Sequence, residues 1–235
     1  MKRTHFYFGA AVIIIPILLF FFLNTGKSSF NKLPIYGEKV PPNGVDILDT
    51  IYYSIPDFKV LTHLGDSISQ KDLNNGIYLA NFFFASCKDV CPTMNRRLKD
   101  VYEEVNELMK KNQELVKENP KAKMPIPVRF ISFTVDPQND TLAALAEYAK
   151  RFEVKDNNWL FTRTEKEQLF QIGRGFLLPV SIEDRTIDHS QQVLLIDRQN
   201  RIRGMYDALS DTEIKRLKDE IKVLLYEYHE QQQSR

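Results

Sequence analysis

The sequence predicts an α/β domain with a mainly parallel central sheet, flanking helices and edge hairpins, preceded by one N-terminal transmembrane helix. Three observations lead to this fold class. Apolar runs of strand length alternate with helical patterns, as in a sheet whose parallel strands are joined by helical crossovers. Turn signals between paired runs add antiparallel edge strands. One long uncharged apolar run occupies the N terminus.

The N-terminal apolar run extends from Phe6 to Leu23, eighteen residues without a charge, which is close to the lower length limit for a helix that crosses a bilayer. Lys2 and Arg3 precede it and should stay in the cytoplasm, which sends the following domain to the extracytoplasmic, periplasmic side. A cleaved signal peptide is the alternative, but its apolar region is normally shorter and ends at a small-residue cleavage site. We therefore expect an uncleaved single-pass anchor in the cell membrane.

Length and composition limit what the rest of the chain can be. The 235 residues suffice for one full core or two small ones, and a hydrophobic content of 43% is typical of a globular protein. The formal net charge of +1 and the well-mixed charges argue against nucleic acid as a partner. We expect a membrane anchor over residues 1–24, a linker rich in Gly, Pro, Ser and Lys over 25–45, and one exported domain over 46–235.

The exported domain contains a series of apolar patterns separated by turn signals. Its predicted elements, in chain order, are a hairpin within Tyr52–Asp72, a strand over Ile77–Phe84, a helix that continues to about Val116, a strand over Val128–Val135, a helix around Leu142–Tyr148, a strand over Trp159–Phe161, a helix over Glu165–Phe176, a hairpin formed by Ser190–Asp197 and Ile202–Tyr206, and a helix from Ser210 to Tyr228. Asp140 or Asn139 is expected to cap the helix that follows the second central strand.

The only two cysteines, Cys87 and Cys91, lie four residues apart where the strand Ile77–Phe84 passes into a helix. On a helix this spacing puts both thiols on one face, where they can close a disulfide or bind one metal ion together. A helix N-terminus also favours the thiolate, which is both the nucleophile and the metal ligand. The alternative is that both are small buried core residues. The spacing does not distinguish a redox pair from a metal site.

His189 stands in Asp188-His-Ser190, directly before a predicted strand. Taken alone, such a histidine is structural as often as functional. In the predicted fold, the start of its strand approaches the cysteine helix from across the sheet, which would bring two thiolates and one imidazole together. This donor set suits soft, late first-row metals, and copper binds most tightly in the divalent series. Zinc also accepts these ligands, but it usually requires a fourth protein ligand or a catalytic water.

The sequence resembles the Sco/SenC family of membrane-anchored, thioredoxin-like proteins over roughly Ile55 to Tyr228. The motifs that carry the resemblance are Cys87-x-x-x-Cys91-Pro92, Thr134-Val-Asp-Pro137 followed by Asp140-Thr141, Trp159-Leu-Phe161, and Asp188-His-Ser190. Two positions depart from the family pattern: Lys88 replaces the usual proline after the first cysteine, and Ala85 replaces the usual Thr or Ser. Lys88 either lowers the thiol pKa of Cys87 or is a solvated residue at the helix start.

The resemblance implies a membrane-anchored copper metallochaperone that helps to load the binuclear copper centre of cytochrome c oxidase. Its copper ligands would be Cys87, Cys91 and His189, and the two cysteines would also form a reversible disulfide. Asp136 would lie near the site and tune its charge without being a ligand. The implied partners are the copper-bearing subunit of the oxidase or another copper chaperone.

A thiol–disulfide reductase is the alternative function. Cys87 or Cys91 would attack a disulfide of the oxidase copper site, or of another exported client, and the other cysteine would resolve the mixed disulfide. The spacing argues mildly against this function, because the well-known dithiol oxidoreductases use C-x-x-C. A peroxidase is a weaker third hypothesis, since Phe84 stands where its usual Thr-x-x-Cys setting requires threonine. The first two functions are compatible, because copper binds only the dithiol form.

Overall fold

The structure is a computed structural model that describes residues 14–15, 32–40, 51–119, 124–154, 156–181, 186–187 and 191–233. Leu33–Arg235 form one compact unit, and Met1–Lys32 are a separate unit in which Ile14 and Ile15 are helical and exposed. Apart from those two residues, the predicted membrane anchor lies outside the described residues. Within the described ranges, no helix is both long and apolar enough to cross a membrane.

The compact unit alternates strands and helices in the predicted order. Its elements are β1 (Lys39–Val40), β2 (Ile51–Tyr52), β3 (Lys59–Thr62), β4 (Ser67–Ser69), β5 (Ile77–Phe83), α1 (Val90–Glu118), β6 (Val128–Thr134), α2 (Leu142–Arg151), β7 (Trp159–Arg163), α3 (Lys166–Gly175), β8 (Val180–Ser181), β9 (Thr186–Ile187), β10 (Gln192–Ile196), β11 (Ile202–Asp207) and α4 (Asp211–Gln233). The two-residue pairs β1–β2 and β8–β9 were not predicted, because two residues are too few to show a strand period.

Seven strands form one sheet in the order β11-β10-β5-β6-β7-β3-β4. Only the pairs β5–β6 and β6–β7 are parallel, and every other pairing in this sheet is antiparallel. The prediction of a mainly parallel sheet is therefore wrong, and the sheet is mixed. The physical reason is connection length: the short turns of β3–β4 and β10–β11 permit only antiparallel pairing, whereas α1 and α2 provide the crossovers that parallel strands need.

The three parallel strands end at one edge of the sheet. Phe83 at the end of β5 pairs with Thr134 at the end of β6, and Phe133 pairs with Thr162 of β7. The loops that follow β5 and β6 therefore leave the sheet side by side. This edge is where α/β sheets place their functional sites, and it carries both the cysteine loop and the segment with Asp136.

Apolar side chains cover both faces of the sheet and hold this edge in place. The first face packs against α1, α2 and α4 through buried residues that include Leu98, Val101, Leu145, Leu217 and Leu224. The second face packs against α3 and the segment before β3 through Ile55, Phe58, Leu169, Ile172 and Phe176. The strand residues between these layers are also buried, so the central strands are a rigid support for the loops that extend from them.

Candidate functional site

The structure brings the two cysteines together where the chain enters α1. Cys87 lies in the loop after β5, and Cys91 is the second residue of α1. The backbone N–H of Cys87 donates to the Phe84 carbonyl at 3.2 Å, which closes the turn. The backbone N–H of Cys91 donates to the Cys87 sulfur at 3.5 Å. Both thiols are free and buried, with 8% of Cys87 and 1% of Cys91 exposed.

Hydrogen bonds make the two thiols chemically different. Burial alone would raise the pKa of Cys87, but the Cys91 thiol and the backbone N–H groups of Cys91, Asp89 and Val90 hydrogen-bond to its sulfur, and its pKa is lowered overall. Burial raises the pKa of Cys91, and its hydrogen bond to Cys87 raises it further. Cys87 is therefore the first of the pair to become a thiolate. Lys88 is exposed, which agrees with a solvated residue at the helix start.

Asp140 joins the cysteine loop to the end of β6. Its carboxylate accepts a hydrogen bond from the Ala85 backbone N–H at 2.9 Å and a second one from the Thr134 hydroxyl, and the residue is 2% exposed. The prediction that Asp140 or Asn139 caps α2 is wrong. Thr141 is the N-cap, and its hydroxyl accepts from the Ala144 N–H at 3.2 Å. An acidic residue just before a helix is usually a cap, so no local pattern identified this longer-range role.

Asp136 lies in the turn that follows β6. Its backbone N–H donates to the Thr134 hydroxyl at 3.0 Å, and the Asn139 amide donates to its two carboxylate oxygens at 3.0 and 2.9 Å. The Asp136 carbonyl accepts from the Asp140 N–H at 2.9 Å. Asp136 is thus fixed at the same edge as the cysteine loop, and it connects to that loop through Thr134 and Asp140.

A cleft of about 180 Å³ adjoins Asp136 and includes Ile187 at the end of β9 among its lining residues. His189 follows Ile187 by two residues but lies outside the described residues. The chain is described again at Gln191, whose carbonyl accepts from the Ala208 N–H at 2.9 Å. Ala208 in turn accepts from Arg97 of α1 at 3.2 Å. The two ends of the short segment that carries His189 are therefore fixed, one in the Asp136 cleft and one near α1.

The described residues do not by themselves form a metal site. Across these ranges, no group of three or more His, Cys, Asp or Glu side chains could hold a metal ion. His189 is not among them, so the predicted set of two thiolates and one imidazole is represented only by its two thiols. His63 is half-buried, and its Nδ1 accepts a hydrogen bond from the Phe161 N–H at 3.3 Å.

A buried polar chain, by which we mean a series of hydrogen-bonded polar side chains, lies beneath the cysteines. The sequence did not predict it. The Asn81 amide donates to Asn95 at 3.1 Å, and the Asn95 amide donates to the Tyr148 hydroxyl at 2.9 Å. On the other side, the Ser132 hydroxyl donates to Asn81 at 2.6 Å. Burial raises the pKa of Tyr148, the bond from Asn95 opposes the rise, and the charges of Cys91 and Cys87 add to it. The one available signal was Asn81, the polar residue that interrupts the apolar run of β5.

Comparison with known proteins places the chain in a family. The SCO1/SenC family model matches residues 52–225. The SCO1 protein homolog of Bacillus subtilis is 27% identical over 174 residues, which are 72% of this chain and 81% of that protein. The range that the family model matches begins after the predicted anchor and includes both cysteines and His189.

Solved structures share the fold. BsSco, a member of the Sco family of cytochrome c oxidase assembly proteins in which a disulfide switch was identified, is similar at a TM-score of 0.56 and 23% identity over 74% of this chain and 94% of that one. Copper-bound ScoI of Arabidopsis thaliana is similar at a TM-score of 0.52 and 21% identity over 72% and 98%. The predicted thioredoxin-like α/β fold is thereby confirmed for the compact unit Leu33–Arg235. The chain belongs to the SCO1/SenC family.

Proposed function

We propose that this protein is a membrane-anchored copper metallochaperone that supplies the binuclear copper centre of cytochrome c oxidase. One observation carries the proposal: two free, buried thiols meet at the N-terminus of α1, in a chain of the SCO1/SenC family. A relative of the same fold has been solved with copper bound, and another belongs to a group of oxidase assembly proteins. The cargo is one copper ion, held by Cys87, Cys91 and His189.

The described residues on either side of His189 support it as the third ligand. His189 is two residues from Ile187 and two from Gln191 in the sequence. Ile187 lines the cleft beside Asp136, and Gln191 is held by Ala208 next to α1. Both fixed points border the sheet edge from which the cysteine loop extends. Asp136 contributes negative charge beside the site and is not a ligand.

The donor set fits copper as a cargo. Thiolates and an imidazole are soft and intermediate ligands, which favour copper over the oxygen-preferring cations. Cys87 is the more exposed of the two thiols and also the first to lose its proton. A partner's ligand would therefore displace Cys87 first, while the fully buried Cys91 keeps hold of the ion until the exchange is complete. Formation of the Cys87–Cys91 disulfide removes both thiolates and abolishes binding.

The test is a metal titration of the full chain in detergent, with the thiols reduced under anaerobic conditions. Copper and zinc are added to the wild type, to His189→Ala and to the matched control His229→Ala, which removes a half-buried histidine of α4. We expect one tightly bound copper with a sulfur-to-metal charge-transfer band, weakened only by His189→Ala. Equal copper affinity in His189→Ala and the wild type would contradict the three-ligand site.

A thiol–disulfide reductase is the second candidate, favoured by the opposite pKa directions of the two thiols. The Cys87 thiolate would attack one sulfur of a client disulfide and expel the other as a thiolate. Cys91 would then lose its proton and attack Cys87, which releases the second client thiolate and leaves a Cys87–Cys91 disulfide. The client gains two electrons and this protein loses them. A Cys91→Ser variant that traps no mixed-disulfide client would contradict this candidate.

We also propose that residues 1–24 anchor the domain in the cell membrane as a single span, with the domain on the extracytoplasmic side. The uncharged run Phe6–Leu23 and the preceding Lys2 and Arg3 support this arrangement. The full chain should resist extraction from membranes by alkaline carbonate, whereas a chain that starts at Thr25 should be released. Release of the full chain, together with N-terminal sequencing that shows cleavage, would establish a signal peptide instead.

A further inference from the structure

We propose that Asp140 is a positioning residue. It fixes the cysteine loop against β6 and so controls how readily the Cys87 and Cys91 thiols form a disulfide. The inference rests on the proposed function only because it concerns the same two thiols. It assigns Asp140 no contact with copper and no role as a helix cap. Asp140 links the turn that carries Asp136 to the loop that carries Cys87.

Asp140 contacts the cysteine loop, the end of β6 and the Asp136 turn. The Asp140 carboxylate accepts from the Ala85 N–H at 2.9 Å, two residues before Cys87. It also accepts from the Thr134 hydroxyl, which itself accepts from the Asp136 N–H at 3.0 Å. Asp140 donates its own backbone N–H to the Asp136 carbonyl at 2.9 Å. A change in the position of any of these groups is transmitted to the loop through one carboxylate.

The other hydrogen bonds at the two cysteines are local to the loop and to α1. The Cys87 N–H is held by Phe84 and the Cys91 N–H by the Cys87 sulfur, and both of these bonds are within the loop and the first turn of α1. The bond from Ala85 to Asp140 connects positions 55 residues apart in sequence and joins the loop to a neighbouring strand. Without it, the loop keeps its internal turn but loses an anchor to the rigid sheet. The separation of the two sulfurs would then vary more.

The side chain of Asp140 is buried at the sheet edge. A polar side chain that is only 2% exposed is unfavourable to bury unless it is hydrogen-bonded. Thr141 already caps α2, so this cost is not needed to start the helix. A backbone N–H and a hydroxyl that both donate to one carboxylate are strong, directional contacts. The contacts of Asp140 therefore join the Asp136 turn to the cysteine loop.

The test measures the metal-free thiol pair in the full chain. Wild type, Asp140→Asn, Asp140→Ala and Thr134→Val are equilibrated with glutathione redox buffers, in which two protein thiols lose two electrons and two protons as one glutathione disulfide is reduced. The matched control is Asp197→Asn. Asp197 is also a fully buried carboxylate, but it follows Ile196, which pairs with Tyr78 at the opposite end of β5 from the cysteines.

We expect Asp140→Ala to lower the equilibrium constant for disulfide formation about tenfold, since a loosened loop reduces the effective concentration of one thiol near the other. For this two-electron couple, tenfold corresponds to a rise of about 30 mV in reduction potential. Asp140→Asn, which keeps an acceptor for Ala85, should show a smaller change, and Thr134→Val should lie between them.

Comparison with the control decides the outcome. If Asp140→Ala and Asp197→Asn lower the free energy of unfolding similarly but neither changes the thiol equilibrium, Asp140 is a structural residue only and the proposal is wrong. If Asp140→Ala does not fold, the same decision is made from Thr134→Val, which keeps the side-chain shape and removes one of the two contacts. These measurements contain no copper, so they remain decisive even if the copper titration contradicts the proposed function.

Discussion

The backbone N–H of Cys91 donates to the sulfur of Cys87 across 3.5 Å, so the first turn of α1 stabilises negative charge on one of the two thiols and not on the other. Cys87 therefore has a lowered pKa and Cys91 a raised one. This asymmetry gives each thiol a distinct role in the proposed chemistry, as the group that reacts first and the group that acts second.

The asymmetry predicts different reactivities for the single-cysteine variants. In Cys91→Ser the serine hydroxyl and the backbone N–H can still donate to Cys87, so alkylation by iodoacetamide at pH 7 should be fast. In Cys87→Ser the remaining thiol is buried and has a raised pKa, so its alkylation should be at least about tenfold slower and should accelerate only at higher pH. Rates measured from pH 6 to 10 test this. Equal rates and equal pH profiles would contradict the assignment.

The buried polar chain predicts a large stability cost at Asn95. Asn95→Ala leaves the Asn81 amide and the Tyr148 hydroxyl without their partner, at about 1–3 kcal/mol for each buried group. We expect the free energy of unfolding to fall by about 2–4 kcal/mol in urea titrations. Tyr148→Phe is the control, because it leaves one buried group, the Asn95 amide, without its partner and should cost about half as much. Similar small losses in both variants would show that water replaces the missing groups.

The backbone conformation of Leu177 predicts which of two substitutions is the more stable. Its φ is +58°, in the left-handed region that side chains disfavour, and it follows the C-terminus of α3. Leu177 is 40% exposed, so Leu177→Gly and Leu177→Ala both lose the buried part of the leucine side chain, but only glycine removes the strain. The free energy of unfolding of Leu177→Gly should therefore exceed that of Leu177→Ala by about 0.5–1 kcal/mol. Urea titrations of the two variants measure this difference. Equal stability of the two variants would contradict strain at this position.

Gly173 predicts a specific clash beneath the segment that leads to His189. A Cβ at this position would lie 2.7 Å from both Cδ1 and Cγ1 of Ile187. Gly173→Ala should therefore displace β9, cost about 1–3 kcal/mol of stability and weaken copper binding. Adding Ile187→Ala removes the clashing atoms, so the double variant should be more stable than the sum of the single effects predicts. Strict additivity would contradict a direct contact.

The sequence was sufficient to predict the chain order of the helices and of the strands that form the seven-stranded sheet. Strong apolar runs such as those of β5 and β6, and the helical period of α1, survive tertiary packing, because these segments are buried in the way that their patterns indicate. The direction of the pairing was harder to predict. The sheet is mixed because two hairpins flank a short parallel centre, and the prediction gave the helical crossovers too much weight.

The sequence predicted the cysteine pair from its spacing, whereas His189 and Asp136 were assigned to the site through the resemblance to a family. Cys87 and Cys91 were recognised because four residues separate them and they are the only cysteines. The role of Asp140 was missed, because its partner Ala85 is 55 residues away and the local pattern predicts a helix cap. The links between Asn81, Asn95 and Tyr148 likewise join three separate elements, and no spacing along the chain reveals them.

The central claim is a copper site made of two thiolates and one imidazole. X-ray absorption spectroscopy of the copper-loaded full chain tests it most directly, because sulfur and nitrogen ligands scatter at different distances from the metal. We predict two sulfur ligands and one imidazole nitrogen per copper, with the imidazole contribution lost in His189→Ala and kept in His229→Ala. A site with fewer than two sulfur ligands, or an unchanged imidazole contribution in His189→Ala, would contradict the account.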